Sequence, residues 1–115
     1  MKRGGIYSLD FGAPRDSVQG GVRPALVIQN DVGNRTSSTT IVAAITSKHK
    51  KSYRFHVEIS TDESGLPEDS TILLEQIQTV PQNLLVRKIG GIDKHKMVEV
   101  DRALIISLGI SFNET

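Results

Sequence analysis

The feature that most constrains the fold is a set of short apolar runs, none long enough for a helix and each closed off by turn-forming residues. Ala25-Leu26-Val27-Ile28 and Ile41-Val42-Ala43-Ala44-Ile45 are uninterrupted, and Thr71-Ile72-Leu73-Leu74 opens a third. Runs of that length suit buried strands, because a strand covered on both faces has no polar alternation to show. Phe55-His56-Val57-Glu58-Ile59 alternates in period two, as a half-exposed strand does. Ile6 to Phe11 reads as another strand, and Val86 to Gly91 as a short one. Between them lie GAPRDSVQGG (12–21) and NDVGNRTSS (30–38), both loop-forming in type, with Gly20-Gly21 marking a tight or unusual backbone.

Helical signals are confined to the second half. Pro81 can open a short helix through Gln82-Asn83-Leu84-Leu85, since proline is tolerated in a first turn. Asp93 is a good N-cap. Met97, Val100, Leu104 and Leu108 follow at helical spacing and predict an apolar stripe over 94–108, which Gly109 is placed to end. At least five short strands followed by one amphipathic helix predict a mainly β (α+β) chain: a small antiparallel barrel with helices against it.

The 115 residues fit one domain spanning 1–115, and 37% hydrophobic with 23% charged residues suits a folded chain rather than a disordered one. With no cysteine there is no disulfide, thiolate catalysis or Cys-based zinc site. The carboxylates Glu58, Asp62, Glu63, Glu68, Asp69 and Glu75 form no recognisable ligand pattern, so no metal and no cofactor is expected. The stretch 62–69 (DESGLPED) reads as a solvated loop. No window approaches a membrane span and no apolar stretch follows the basic start, so a cytoplasmic protein is expected. The net charge of +1 says little, but residues 47–54 (SKHKKSYR) carry Lys48, Lys50, Lys51 and Arg54 without an acid. Such a segment is either a solvated loop tip or a contact for a polyanion.

Pattern reading ends there, with a fold class and no activity. Four segments go further: KRGGIYSLDF at the start, GGVRPALVIQNDVGNR (20–35), TTIVAAITS (39–47) and HVEI with DSTILLEQIQT (56–59, 69–79). They resemble the MazF/PemK/Kid family of RNA-cutting toxins from Lys2 to about Leu108, in that family's order and spacing. The resemblance implies an SH3-like β-barrel with a C-terminal helix and a homodimer with RNA grooves near its subunit interface. It also implies a MazE-like antitoxin whose flexible tail occupies the RNA site. The implied activity is ribosome-independent, metal-independent cleavage of single-stranded RNA at a short site, leaving a 2′,3′-cyclic phosphate and a 5′-hydroxyl.

By the same resemblance Arg23 and Thr46 are the catalytic pair. The guanidinium of Arg23 offers a planar fork of donors suited to phosphate, and it follows a double glycine where a backbone can approach a ligand. A guanidinium is effectively always protonated, so electrostatic stabilisation is its expected part, with a base role left open. Thr46 ends an apolar strand and places a hydroxyl there. Without the resemblance, Arg23 reads as a surface arginine and Thr46 as an ordinary strand-end threonine. Ser17, Gln19, Lys48, His49, Lys50, Lys51 and Gln76 are the expected RNA contacts, and Glu75-Gln76 are placed to read base edges.

His49 is the imidazole nearest Thr46 in sequence, although the family's chemistry does not depend on one there; His56 reads as structural and His95 as solvated. Relatives usually carry Ser-Glu-Gln before the double glycine, whereas this chain has Ser17-Val18-Gln19, which puts the recognised base sequence in doubt. Tyr7 and Phe11 read as core residues more readily than as stacking surfaces. Two other readings remain: a non-catalytic toxin on the same barrel that binds DNA gyrase, and a nucleic-acid-binding module built on the basic loop. Arg23 with Thr46 in the quoted context favours cleavage.

Overall fold

The computed structural model describes residues 1–16, 18–47 and 51–111. Its strands are β1 (Gly5–Asp10), β2 (Val22–Val27), β3 (Thr39–Thr46), β4 (His56–Ile59), β5 (Ser70–Pro81) and β6 (Lys88–Gly91). They form one antiparallel sheet in the order β4-β5-β3-β2-β1-β6. The sheet curls into a half-barrel, with α1 (Asp31–Thr36), α2 (Thr61–Ser64) and the long C-terminal α3 (Lys94–Leu108) outside it. The edges β4 and β6 approach each other through α2, where Gly90 lies so close to the Ser64 carbonyl that a Cβ would sit 2.1 Å from that oxygen.

Side-chain alternation divides the sheet into two unlike faces. One face carries Ile6, Leu26, Ala43, Ile45, Ile72 and others against Met97, Val100 and Ala103 of α3, making the main core. The opposite face carries a smaller cluster of Leu9, Ala25, Val27, Val42, Val80 and Leu85, with Tyr7 and Phe11 packed at its margin. The long helix α3 packs on the first face, and the candidate site lies on the second.

The C-terminal helix has the predicted limits. The Asp93 carboxylate accepts from the Lys96 N–H, and Gly109 closes the helix in the left-handed conformation at φ 66°. Its stripe holds at Met97 and Val100, which are buried, and at Leu104, which packs against the core, but Leu108 is exposed and Ala103 is buried beside the stripe. A helix advances 3.6 residues per turn, so a stripe continued by fours drifts off the contact line. Ser107 takes the last position facing the sheet and donates to the Leu74 carbonyl at 2.8 Å.

Two predicted loops contain helices. Residues 30–38 were expected as loop, yet α1 forms there because Asn30 caps it, accepting from the Gly33 N–H at 2.8 Å. Asn34 completes it: buried, its side-chain oxygen accepts from Thr40 and Gln29, and its amide donates to the Gln29 carbonyl. Loop-forming composition is also N-cap composition, and tertiary partners decided between the two. In the acidic stretch, Ser60 and Glu63 form a reciprocal capping box that starts α2, and Gly65 ends it. The helix expected after Pro81 is a single 3₁₀ turn, Gln82–Leu84, with Pro81 as its N-cap.

Candidate RNA-cleavage site

The sheet places the two expected catalytic residues on one face. In β2 and β3, Ala25 pairs Ala44, Leu26 pairs Ala43 and Val27 pairs Val42. The pairing ends at Ala25–Ala44, and side-chain alternation puts Arg23 of β2 and Thr46 of β3, each two residues beyond that pair, on the same face of the sheet. Thr46 is itself paired with Thr71 in β5, which is paired with Glu58 in β4. Thr46, Thr71 and Glu58 therefore form one row across three strands, and Arg23 shares their face, away from α3. At the far end of the row the Thr71 hydroxyl donates to the Glu58 carboxylate at 3.0 Å.

Arg23 is half-buried, and its Nε donates to the Gly20 carbonyl at 2.9 Å. That bond holds the guanidinium by its inner nitrogen. The two outer nitrogens make no hydrogen bond among the described residues, so the fork is free to take a phosphate. Local backbone explains why two glycines precede it. A Cβ on Gly20 would lie 2.3 Å from the Pro14 nitrogen, and Gly21 adopts φ 78°. The 12–21 loop thus folds tightly back on itself, with Gly21 N donating to the Gly12 carbonyl and Phe11 N to the Gly21 carbonyl. Thr46 is buried at 6% exposure, at the last position of β3.

A cleft of about 170 Å³ reaches this face at Ala44 and is lined by Phe11, Gln19, Glu75 and Gln76 among others. Ala44 forms part of its lining, and Thr46 lies two residues further on the same face, about 7 Å along the strand. The opposite wall is made by an irregularity in β5. Ala43 pairs Ile77 but Ala44 pairs Leu73, so one step along β3 spans four along β5. The extra residues Leu74, Glu75 and Gln76 bulge, and bulges re-aim side chains beside functional sites. Gln76 is turned toward the 12–21 loop, where its side-chain oxygen accepts from the Gln19 N–H at 3.2 Å.

Glu75 also lines the cleft, and its carboxylate meets β4. Both of its carboxylate oxygens lie within hydrogen-bonding distance of His56 Nε2, at 3.2 and 3.1 Å. A carboxylate has no proton to give, so Nε2 carries the hydrogen and donates. The imidazole is only 6% exposed and sits edge-on to Tyr53 and Phe55, whose own rings are stacked at 5.1 Å. The sequence reading treated His56 as structural and missed this pair, because the two residues are 19 positions apart and meet only through the β4–β5 register.

Of the expected RNA contacts, Arg23, Thr46, Gln19 and Gln76 share this face or its cleft. Lys51 is exposed, with its ammonium 5.3 Å from the Tyr53 ring centre. Ser17, Lys48, His49 and Lys50 lie outside the described residues. Phe11 lines the cleft while packing on the second cluster, and Tyr7 belongs to that cluster. Val18, where relatives usually carry an acid, is exposed and on the cleft wall. His95 is exposed in the first turn of α3. Among the described residues no three His, Cys, Asp or Glu side chains gather as a metal site, and no helix is long and apolar enough to cross a membrane.

Known proteins resemble the chain along its whole length. A family model described as PemK-like, MazF-like toxin of type II toxin-antitoxin system matches residues 2–108. Endoribonuclease EndoA of Bacillus subtilis (strain 168) is 50% identical over 111 residues, covering 96% of each chain. Among solved structures, an endoribonuclease in complex with its cognate antitoxin from a mycobacterial species superposes with a TM-score of 0.81 at 20% identity, over 98% of this chain and 99% of that one. MazF (Form-I) from Deinococcus radiodurans gives 0.78 at 22% identity, over 96% and 97%. At those identities the structural matches speak for the fold, and the sequence matches carry the membership: the chain belongs to the PemK-like, MazF-like toxins of type II toxin–antitoxin systems.

Proposed function

We propose that this protein is an endoribonuclease that cuts single-stranded RNA without a metal, by attack of a ribose 2′-hydroxyl on the adjoining phosphate. One observation carries the reading: a guanidinium whose outer nitrogens are unengaged among the described residues and a threonine hydroxyl lie on the same face of β2 and β3, and a cleft reaches that face at Ala44. The 50% identical relative is named as an endoribonuclease, which is the activity this geometry suits.

In the reaction the 2′-oxygen forms a bond to phosphorus, its proton leaves to a base, and the bond to the 5′-oxygen breaks as that oxygen gains a proton. The products are a 2′,3′-cyclic phosphate and a 5′-hydroxyl. Negative charge rises on the non-bridging oxygens in the transition state. The outer nitrogens of Arg23 match two of those oxygens as a fork, which a lysine could not do. The Thr46 hydroxyl donates to a phosphate oxygen or assists the leaving 5′-oxygen. Charge-directed donors already in place need no reorganisation when the charge appears, and removing one typically costs about 10²–10³ in rate. DNA has no 2′-hydroxyl and is not a substrate.

The partners in this reading are single-stranded messenger RNA, a cognate MazE-like antitoxin and a second copy of the chain, in the cytoplasm. The mycobacterial structural relative is described as bound to its antitoxin. The test is digestion of one long RNA by antitoxin-free protein in chelator, followed by mapping of fragment ends and end chemistry. Discrete cuts with 2′,3′-cyclic phosphate and 5′-hydroxyl termini are expected. Intact RNA across varied substrates would overturn the reading.

A further inference from the structure

We propose that His56 is a positioning residue for RNA recognition: it holds the Glu75 carboxylate at the cleft so that Glu75 reads a base bearing an exocyclic amino group. The proposal rests on the endoribonuclease reading above.

The geometry starts with the bulge. Leu74, Glu75 and Gln76 fall between the Leu73 and Ile77 pairings with β3 and oppose no residue of that strand. On the bulge Glu75 lines the cleft with Gln19 and Gln76 while remaining 36% exposed. A glutamate there would ordinarily sample several rotamers. His56 removes that freedom by contacting both carboxylate oxygens, and the ring is itself held edge-on by Tyr53 at 5.3 Å and Phe55 at 5.0 Å. The ordering cost of Glu75 is thereby met before any RNA binds.

Stability does not account for the pair. A histidine–carboxylate hydrogen bond with one partner this exposed contributes little. Against that small gain stands His56 Nδ1, which is buried with no hydrogen-bond partner among the described residues. Leaving a buried polar nitrogen unpartnered costs about 1–3 kcal/mol. An arrangement that loses on burial and gains little from pairing is accounted for by what it does to Glu75.

The charge of Glu75 defines what it can read. A carboxylate repels phosphates, so its place in an RNA cleft is against base edges and not the backbone. It accepts hydrogen bonds and donates none, and its two oxygens offer about four acceptor directions, of which His56 takes only part. Adenine N6, cytosine N4 and guanine N2 present the matching donors. Uracil has no amino group, and its carbonyl oxygens face the carboxylate unfavourably. Glu75 held by His56 thus selects amino-bearing bases over uracil at one position of the cut site.

The test uses a pool of single-stranded RNAs randomised around the cut, with wild type, Glu75→Gln, His56→Phe, His56→Gln and the Glu75→Gln/His56→Phe double variant. Phenylalanine keeps the ring against Tyr53 and Phe55 without the donor, and glutamine restores an N–H that reaches Glu75. At one position, Glu75→Gln and His56→Phe are each expected to reduce the preference for amino-bearing bases over uracil by about tenfold, within the range of one good base contact. The double variant loses no more than Glu75→Gln alone, and His56→Gln recovers most of the preference. A wild-type profile in either single variant overturns the proposal. So does a uniform slowing at all sites with a lowered melting temperature in His56→Phe, which would mark a purely structural ring. Wild type that cuts no RNA overturns the endoribonuclease reading itself, and is distinguishable because no variant profile then exists.

Discussion

The side-chain oxygen of Gln76 accepts a hydrogen bond from the Gln19 backbone N–H at 3.2 Å, joining the bulge of β5 to the loop that precedes Arg23. Fifty-seven positions apart in sequence, the two residues tie opposite walls of the cleft together. The sequence reading expected Gln76 to touch RNA. The structure gives it a loop-holding contact as well, and Gln76→Ala is expected to loosen the 12–21 segment. With a hydrogen bond worth about 1 kcal/mol net, KM should rise roughly fivefold while kcat changes less. Limited proteolysis should show faster cutting within the loop. An unchanged digestion pattern would remove this role.

The placement of Arg23 and Thr46 on one face predicts a particular pattern of kinetic loss. Arg23→Ala and Thr46→Ala should each lower kcat by at least about tenfold, and up to about 10³. Arg23→Lys keeps the charge but loses the fork, and should remain well below wild type. Thr46→Ser keeps the hydroxyl and should retain most activity. Single-turnover cleavage in chelator measures all four, and equal rates for Thr46→Ser and Thr46→Ala would dismiss the hydroxyl.

Two glycines separate site geometry from global stability. Gly20→Ala places a Cβ 2.3 Å from the Pro14 nitrogen, so the backbone around Pro14 and Gly20 must move. Its expected effect is on activity, through displacement of the Gly20 carbonyl that holds Arg23. Gly90→Ala places a Cβ 2.1 Å from the Ser64 carbonyl, where β6 meets α2 and the half-barrel draws its edges together. Overpacking of this kind costs roughly 1–3 kcal/mol, so the melting temperature should drop by several degrees. Thermal unfolding of both variants, with cleavage assayed below the transition, checks the contrast.

Acid should weaken the anchoring of the helices. Asp31 is held below the ordinary 3.8 first by the Arg3 backbone N–H, opposed by partial desolvation and assisted by Asn34. Glu63 is held below the ordinary 4.5 first by the Ser60 N–H of the capping box and then by Lys96. For Lys96 burial works against the charge, but its bonds with Glu63 and Glu99 outweigh that and raise it. Both carboxylates are lowered on folding, so the unfolded chain binds more protons and stability falls as pH drops below about 4.5. Denaturant titrations between pH 6 and pH 3, roughly spanning that window, should show a shallower acid loss in Asp31→Asn and Glu63→Gln than in wild type.

The basic segment carries a salt signature. If RNA phosphates lie along 48–51, replacing Lys48, Lys50 and Lys51 with glutamine should weaken RNA binding. The slope of log affinity against log salt should also fall by about 2, at roughly 0.7 per phosphate contact on a single strand. An unchanged slope would place the phosphates elsewhere.

The sequence by itself determined whatever depends on neighbours along the chain. Alternation and apolar runs set the strands, and the limits of α3 follow from Asp93 and Gly109, because caps act within one turn. Family motifs around Arg23 and Thr46 were legible because their residue types sit in unbroken local context. Tertiary structure decided what depends on register. Asn30 and Asn34 became a cap and a buried hub, not loop residues, once Thr40 and Gln82 were brought alongside. The bulge at Leu74–Gln76, the cleft it opens and the meeting of His56 with Glu75 have no signature in any local window. Cross-strand pairing relates residues through space, and a shift of one position would turn each of these side chains to the opposite face.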